Sequence, residues 1–401
     1  MKFSRRTAVQ IAGAAALLPV AAESLSGAQV PQAPKEGPNT PKIALGMGDS
    51  GIPGGGRGRG AAPGTPAPDP SEGPRRIKQL GVNHVLSGLG GIPWTEDALN
   101  AAMAPWKAMG ITVGNLMINL SPDILYGRPG NKRDEDIEKI KASIVAAGKV
   151  GLPVVEYNFY AHRAMEGYFE EIDKDRGDSG WTGFDYELEQ TGAQYQTRPE
   201  EKGMKFKDLP PLPNEGAHTL EEMFANATYF LKAVIPVAEK SNVRLALHPN
   251  DPPAPVSRGS QQIMGTVAGW KRYISLVNSP ANGITFDCGV TREMGEDPIE
   301  VCRYFGSRDR INHVHFRNVL VMKPYERYTE VWIDEGLNNM FAVMKELVKN
   351  KYTRQIYPEH PRRLNYDAQR GNIGGYPGGG AYAAIAYNVG YTRAMLQAAL
   401  S

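Results

Sequence analysis

Short aliphatic, β-branched runs alternate with longer stretches whose apolar residues recur every three to four positions, and this alternation runs through most of the chain. Strand-like and helix-like patterns in strict alternation leave few folds open, because parallel strands need crossover helices to join them. The strand candidates are Ile43–Met47, Val85–Gly88, Thr112–Met117, Val154–Asn158, Arg244–His248, Ile284–Asp287, His313–Phe316 and Gln355–Glu359. Eight such runs point to an α/β chain folded as a (β/α)8 TIM barrel, a fold that commonly uses well over 200 residues in one domain. The chain has 401 residues, 41% hydrophobic, which supplies enough apolar material for one large core.

Three helices stand out. Asp134–Ala147 aligns Ile137, Ile140 and Ile144 on one face. Thr219–Ala238 opens on a capping box, Thr219 and Glu222, with Leu220, Met223, Ala227, Phe230, Leu231 and Val234 striped behind it. Pro236 is expected to kink that helix near its end. Leu337–Lys349 is the third, with Leu337, Phe341, Met344 and Val348 aligned as the inward stripe. Residues 165–217 are too long for a simple connection and follow the fourth strand, on the face where barrel active sites lie. They read as a lid-like insertion.

The ends of the chain carry other information. Ser4-Arg5-Arg6 followed by the apolar stretch Ala8–Ala22 has the layout of an export signal, and the paired arginines suggest the twin-arginine type. Residues 1–28 are therefore expected to be a signal peptide and the protein periplasmic. Residues 29–41 read as a Pro-rich linker, 42–401 as the barrel domain, and 51–74 as a flexible Gly/Pro loop. A net charge of +2 gives no footprint for nucleic acid or a membrane surface, and the apolar N-terminal stretch is too short for a stable span. Two cysteines, Cys288 and Cys302, exclude a disulfide scaffold. Assembly into a homo-oligomer is left open.

Metal-capable side chains recur at the ends of the last four strand candidates: His248, Asp287, His315 and Glu359. In a barrel these tips converge on one mouth, so residues far apart in sequence can surround one ion. Two imidazoles and two carboxylates suit Mn²⁺ first, with Fe²⁺ or Zn²⁺ as alternatives. Taken singly, a strand-end His is commonly structural and a strand-end Asp commonly caps the next helix. Repetition on four successive strands favours a metal. His313 shares a face with His315 at a different depth, as a supporting or substrate-binding group or a core histidine. Cys288 should point into the barrel wall.

These motifs resemble the mannonate dehydratase family of the xylose-isomerase-like barrels. The resemblance is carried by Phe230–Glu239 running into Arg244–Pro253 with its His-Pro-x-Asp-Pro-Pro, and by Val277–Gly283, His315-Phe316-Arg317, Pro358-Glu359-His360 and Tyr157-Asn158-Phe159. Weaker similarity spans Lys42 to the C-terminus. The resemblance implies a metal-dependent dehydratase of a sugar acid, converting D-mannonate or a related aldonate to a 2-keto-3-deoxy acid. It carries His248 and His315 over as ligands, replaces a family Cys by Asp287 and a family Asp by Glu359, and implies His360 and Tyr382 as the proton-transfer pair. Arg317 is implied as a clamp for the substrate carboxylate and Asn158 as a further substrate contact. A family histidine pair is Gly90-Gly91 here, and a family glutamate is Met117. An exported sugar epimerase or isomerase, and a non-catalytic sugar-binding protein, are the alternative readings.

Overall fold

The computed structural model describes residues 33–51, 69–191, 198–371 and 374–401. The expected signal peptide, residues 29–32 of the linker and residues 52–68 of the Gly/Pro loop lie outside them. The described strands are β1 (Lys42–Gly46), β2 (His84–Gly88), β3 (Thr112–Ile118), β4 (Val154–Tyr157), β5 (Tyr168–Asp173), β6 (Ser179–Asp185), β7 (Arg244–Leu247), β8 (Val256–Ser257), β9 (Ser260–Gln261), β10 (Asn282–Asp287), β11 (Ile311–His315), β12 (Val319–Lys323), β13 (Arg327–Glu330) and β14 (Gln355–Tyr357). All eight expected runs form strands, and they close a parallel barrel in the order β1-β14-β11-β10-β7-β4-β3-β2.

The two-residue period of a strand sorts the side chains. Val155 and Tyr157 on β4, Leu245 and Leu247 on β7, Ile284 and Phe286 on β10, and Val314 on β11 all join the apolar layer. That layer also holds Ile137, Ile140 and Ile144, together with Phe230, Leu231 and Val234, from the surrounding helices. The opposite parity on the same strands carries Glu156, Thr285, Asp287, His313 and His315, all buried. Burying each apolar side chain contributes about 1.5–3 kcal/mol, so the alternation fixes the register of every strand.

The helices follow the sequence closely, with three differences. Leu220–Lys240 begins at the Thr219–Glu222 capping box as expected, and it continues past Pro236 to end at Lys240, two residues beyond the expected Ala238. Buried Val234, Ile235 and Ala238 hold the helix across the missing N–H. The third helix is Met340–Lys349, and its buried face is Met340, Val343, Met344 and Leu347. Leu337 and Phe341, expected on the inward stripe, are 51% and 37% exposed, because Leu337 precedes the helix and the stripe is rotated by one position. The Gly/Pro segment ends earlier than residue 74: a helix spans Glu72–Gln79 with Pro74 in its first turn, where proline is tolerated.

Residues 165–217 carry a hairpin of their own. β5 and β6 pair antiparallel, and β6 pairs with β13 of a second hairpin that leaves the barrel after β11. The result is a four-stranded sheet, β12-β13-β6-β5. Beneath it Tyr168, Phe184, Phe206, Leu209 and Tyr328 form a separate small core.

Candidate metal and proton-transfer site

Asp287 ends β10 and His315 ends β11, while Glu359 lies two residues beyond β14. Ligand atoms of these three residues lie within 4.8 Å of one another, and all three residues are buried. Nδ1 of His315 and Oε1 of Glu359 stand 3.1 Å apart as an ion pair, yet neither atom meets the geometry of a hydrogen bond. Buried polar atoms almost always find partners, so two uncommitted ones facing each other fit a shared cation. Asp287 has a double task. Its Oδ1 accepts from the backbone N–H of Val290 and caps the helix Cys288–Glu293, while its Oδ2 accepts from Nε of Arg317 at 3.1 Å.

His248 packs against His315 with ring centroids 4.9 Å apart, though it does not join that three-donor group. Its Nδ1 lies 2.7 Å from the carbonyl of Pro249, to which it can donate only as Nδ1–H, leaving the Nε2 lone pair as the ligating atom. His313 lies one layer deeper, fully buried, with neither nitrogen hydrogen-bonded. It forms a second three-donor group with His315 and Glu156, whose carboxylate accepts from Asn115 (2.8 Å) and Thr285 (2.6 Å). Cys288 donates its thiol to the carbonyl of His315, and burial pushes its pKa up, so the thiol is turned to the backbone as a neutral donor.

Burial opposes charge throughout this site, and the facing charges decide the outcome. Glu359 and Asp287 hold His315 protonated far above the usual imidazole range, and His315 and His360 hold Glu359 well below the usual carboxylate range. Burial, helped by the charges of His315 and His248, pushes His313 down to about 4 against the pull of Glu156 and Glu359. A proton held among two carboxylates and an imidazole is what a divalent ion displaces when it binds.

Arg317 is buried among five carboxylates, those of Asp251, Asp287, Glu293, Glu330 and Glu359, at 2.7–3.5 Å. Most of its fork is therefore committed to the protein, and NH2 is the nitrogen without a hydrogen bond. Its approach requires a glycine at 289, where a Cβ would stand 2.6 Å from NH1. Asn158 lies at the end of β4 beside Met117, its Nδ2 3.5 Å from the sulfur.

His360 and Tyr382 are not brought together. The Tyr382 hydroxyl donates to the carbonyl of Arg76 on the first helix. The tyrosine against His360 is Tyr376, with ring centroids 4.7 Å apart. His360 itself donates from Nδ1 to Glu330 at 2.8 Å, and its Nε2 lies 3.6 Å from Glu359. Five buried or contacting residues went unread in the sequence: Glu156, Asp251, Glu293, Glu330 and Tyr376. Glu156 was available by parity, since it shares a strand face with Asn158. Asp251 lies inside the His-Pro-x-Asp-Pro-Pro run.

A parallel eight-stranded barrel with imidazoles and carboxylates gathered at its C-terminal mouth is a metal-site barrel of the xylose-isomerase-like class. L-ribulose 3-epimerase shares the fold at TM-score 0.51 and 13% identity, covering 90% of this chain and 96% of that one. A finer match comes from the family model described as D-mannonate dehydratase (UxuA), which matches residues 73–400. A mannonate dehydratase of Streptococcus equi subsp. zooepidemicus is 31% identical over 71% of this chain and 80% of its own. One from Thermotoga petrophila is 29% identical over 75% and 88%. The crystal structure of mannonate dehydratase from Streptococcus suis serotype2 superposes with TM-score 0.69 at 25% identity, covering 90% of this chain and 95% of that one. The chain belongs to the D-mannonate dehydratase family and, with it, to the hydro-lyases. Membership and the donor groups together mark the site as one for a divalent metal.

Proposed function

We propose that the protein is a Mn²⁺-dependent dehydratase of a sugar acid, acting on D-mannonate or a closely related aldonate to leave the 2-keto-3-deoxy acid. The observation that carries this reading is the Asp287–His315–Glu359 group with its two uncommitted ligand atoms, set beside a histidine whose Nε2 is free. His248 is the proposed fourth ligand through Nε2. A divalent ion held there supplies Lewis acidity that stabilises negative charge developing next to a carboxylate. His360 takes the proton from C2 through Nε2. The leaving 3-hydroxyl needs a proton, and Tyr376, which lies against His360, is better placed to give it than Tyr382, whose hydroxyl donates to the carbonyl of Arg76. The unbonded NH2 of Arg317, His313 and Asn158 remain proposed substrate-side groups.

Incubation of the Mn²⁺-loaded protein with aldonates, uronates and keto-sugars in D₂O, read by NMR, tests the reading. A 2-keto-3-deoxy product from an aldonate is expected. Deuterium uptake without a deoxy product would favour an epimerase instead. Tyr376→Phe should lower kcat by about 10²–10⁴, whereas Tyr382→Phe should stay near wild type; the reverse order would restore Tyr382 as the acid.

Export by the twin-arginine route to the periplasm is proposed from residues 1–28 alone. Substitution of both Arg5 and Arg6 by Lys is expected to leave the protein in the cytoplasm, since the pair is read by a receptor. Unchanged localisation in cell fractionation would end that reading.

A further inference from the structure

Glu330 is the last residue of β13, in the hairpin outside the barrel, and it is 1% exposed. A buried carboxylate is costly unless its partners use it. Its Oε2 accepts from Nδ1 of His360 at 2.8 Å and from NH2 of Arg362 at 2.9 Å. Arg362 is fully buried as well. Its Nε and NH2 donate to the carbonyl of His360 at 2.9 and 2.6 Å, and its NH1 donates to Thr182 on β6 at 2.7 Å. One guanidinium thus ties together the carboxylate that holds the imidazole and the backbone that carries it.

That backbone needs holding. His360 has φ +47°, a left-handed conformation that costs a non-glycine residue on the order of 1 kcal/mol or more. Tyr376 covers the ring at 4.7 Å. With Nδ1 engaged, Nε2 is the nitrogen left towards Glu359.

We propose that Glu330 is a positioning residue for His360: it selects the Nδ1–H tautomer and the ring orientation that presents the Nε2 lone pair to the substrate. The proposal rests on His360 acting as the proton acceptor of the dehydratase reading. Glu330 does not reach the reacting atoms; it acts through the imidazole. Its origin in the hairpin rather than the barrel makes the orientation of a barrel-mouth histidine depend on the four-stranded sheet.

The first test needs no substrate. Long-range ¹H–¹⁵N correlation on histidine-labelled protein, with His360 assigned by difference from His360→Gln, should show Nδ1 protonated and Nε2 carrying the lone pair. Kinetics on D-mannonate follow. Glu330→Ala should lower kcat by about 10–100-fold, with KM within about twofold and bound metal unchanged. Glu330→Gln, whose amide oxygen also accepts from Nδ1–H, should recover most of that loss. In the His360→Gln background Glu330→Ala should cost nothing further, because the two act as one unit. Glu330→Met, which preserves buried volume, takes the same measurements if the alanine variant does not fold. An Nε2–H tautomer in the wild type, or a full repeat of the Glu330→Ala loss without His360, overturns the proposal. A wild-type enzyme inactive on every aldonate would sink the dehydratase reading alone, and the tautomer would still decide this one.

Discussion

Against the insertion, Arg258 from the turn between β8 and β9 lies between Glu166 and Glu201, with all three side chains at most 5% exposed. Its Nε donates to Glu166 at 2.8 Å, its NH1 and NH2 to the two oxygens of Glu201 at 2.7 and 2.9 Å, and its NH1 also to the carbonyl of Pro210. His162 closes the other side of Glu166 at 3.0 Å. No buried polar atom of this cluster lacks a partner among the described residues. At the barrel mouth, charge is buried as deeply, but His313, His315, Arg317, Glu330 and Glu359 each keep an unbonded polar atom. A cluster built to hold a loop in place satisfies itself; a cluster built to receive something leaves atoms uncommitted. Burial and charge alone would not separate the two, whereas the account of donors and acceptors does.

The contrast can be broken at either end. Arg258→Met should be the most damaging change, because it strips the shared guanidinium from two buried carboxylates and leaves Glu166 only His162 and Glu201 only Arg198. A loss of about 3–5 kcal/mol is expected in denaturant unfolding, with metal still bound by whatever remains folded. A variant as stable as wild type would mean the insertion network carries no weight. Glu359→Ala should do the opposite. It removes a proposed ligand from a site already strained by unpaired charge, so stability should change little while metal affinity falls by about 100-fold or more in titration calorimetry. Unaltered affinity would remove Glu359 from the ligand set. The smallest effect concerns acid. Hydrogen bonds from Arg258 hold Glu201 down at about 2, below its ordinary 4.5. A depressed carboxylate contributes stability above its unfolded value and loses it as pH falls through its folded one. The insertion should therefore be unchanged from neutrality to about pH 5 and weaken only between about 4.5 and 2, as read by hydrogen exchange across β5 and β6.

The barrel was legible because each parallel strand is short, apolar and buried on both sides, and each ends where polarity returns. The same break in polarity exposed His248, Asp287, His315 and Glu359, so the residues at the strand tips could be read directly. What sequence could not supply was long-range pairing outside the barrel. Val319–Lys323 and Arg327–Glu330 are a hairpin whose partner, β6, lies some 140 residues earlier, and nothing local to Glu330 points at His360. Tyr376 was not read as a candidate beside Tyr382 for a related reason. Both follow a glycine-rich stretch whose path is set by contacts with Pro361 and Arg362 rather than by any period. Length alone set residues 165–217 apart, and their internal hairpin was hidden by glycines at 180 and 183 that weaken any strand signal.

The pairing of β6 with β13 has a practical meaning for redesign. One strand belongs to the excursion after β4, the other to the excursion after β11, and Glu330 sits opposite Thr182 in their register. Loop exchange between related barrels usually treats each excursion as a separate cassette. Here the two form one graft: transplanting either by itself would bare a sheet edge and strip the support from behind His360, while moving both together carries the support along with the specificity.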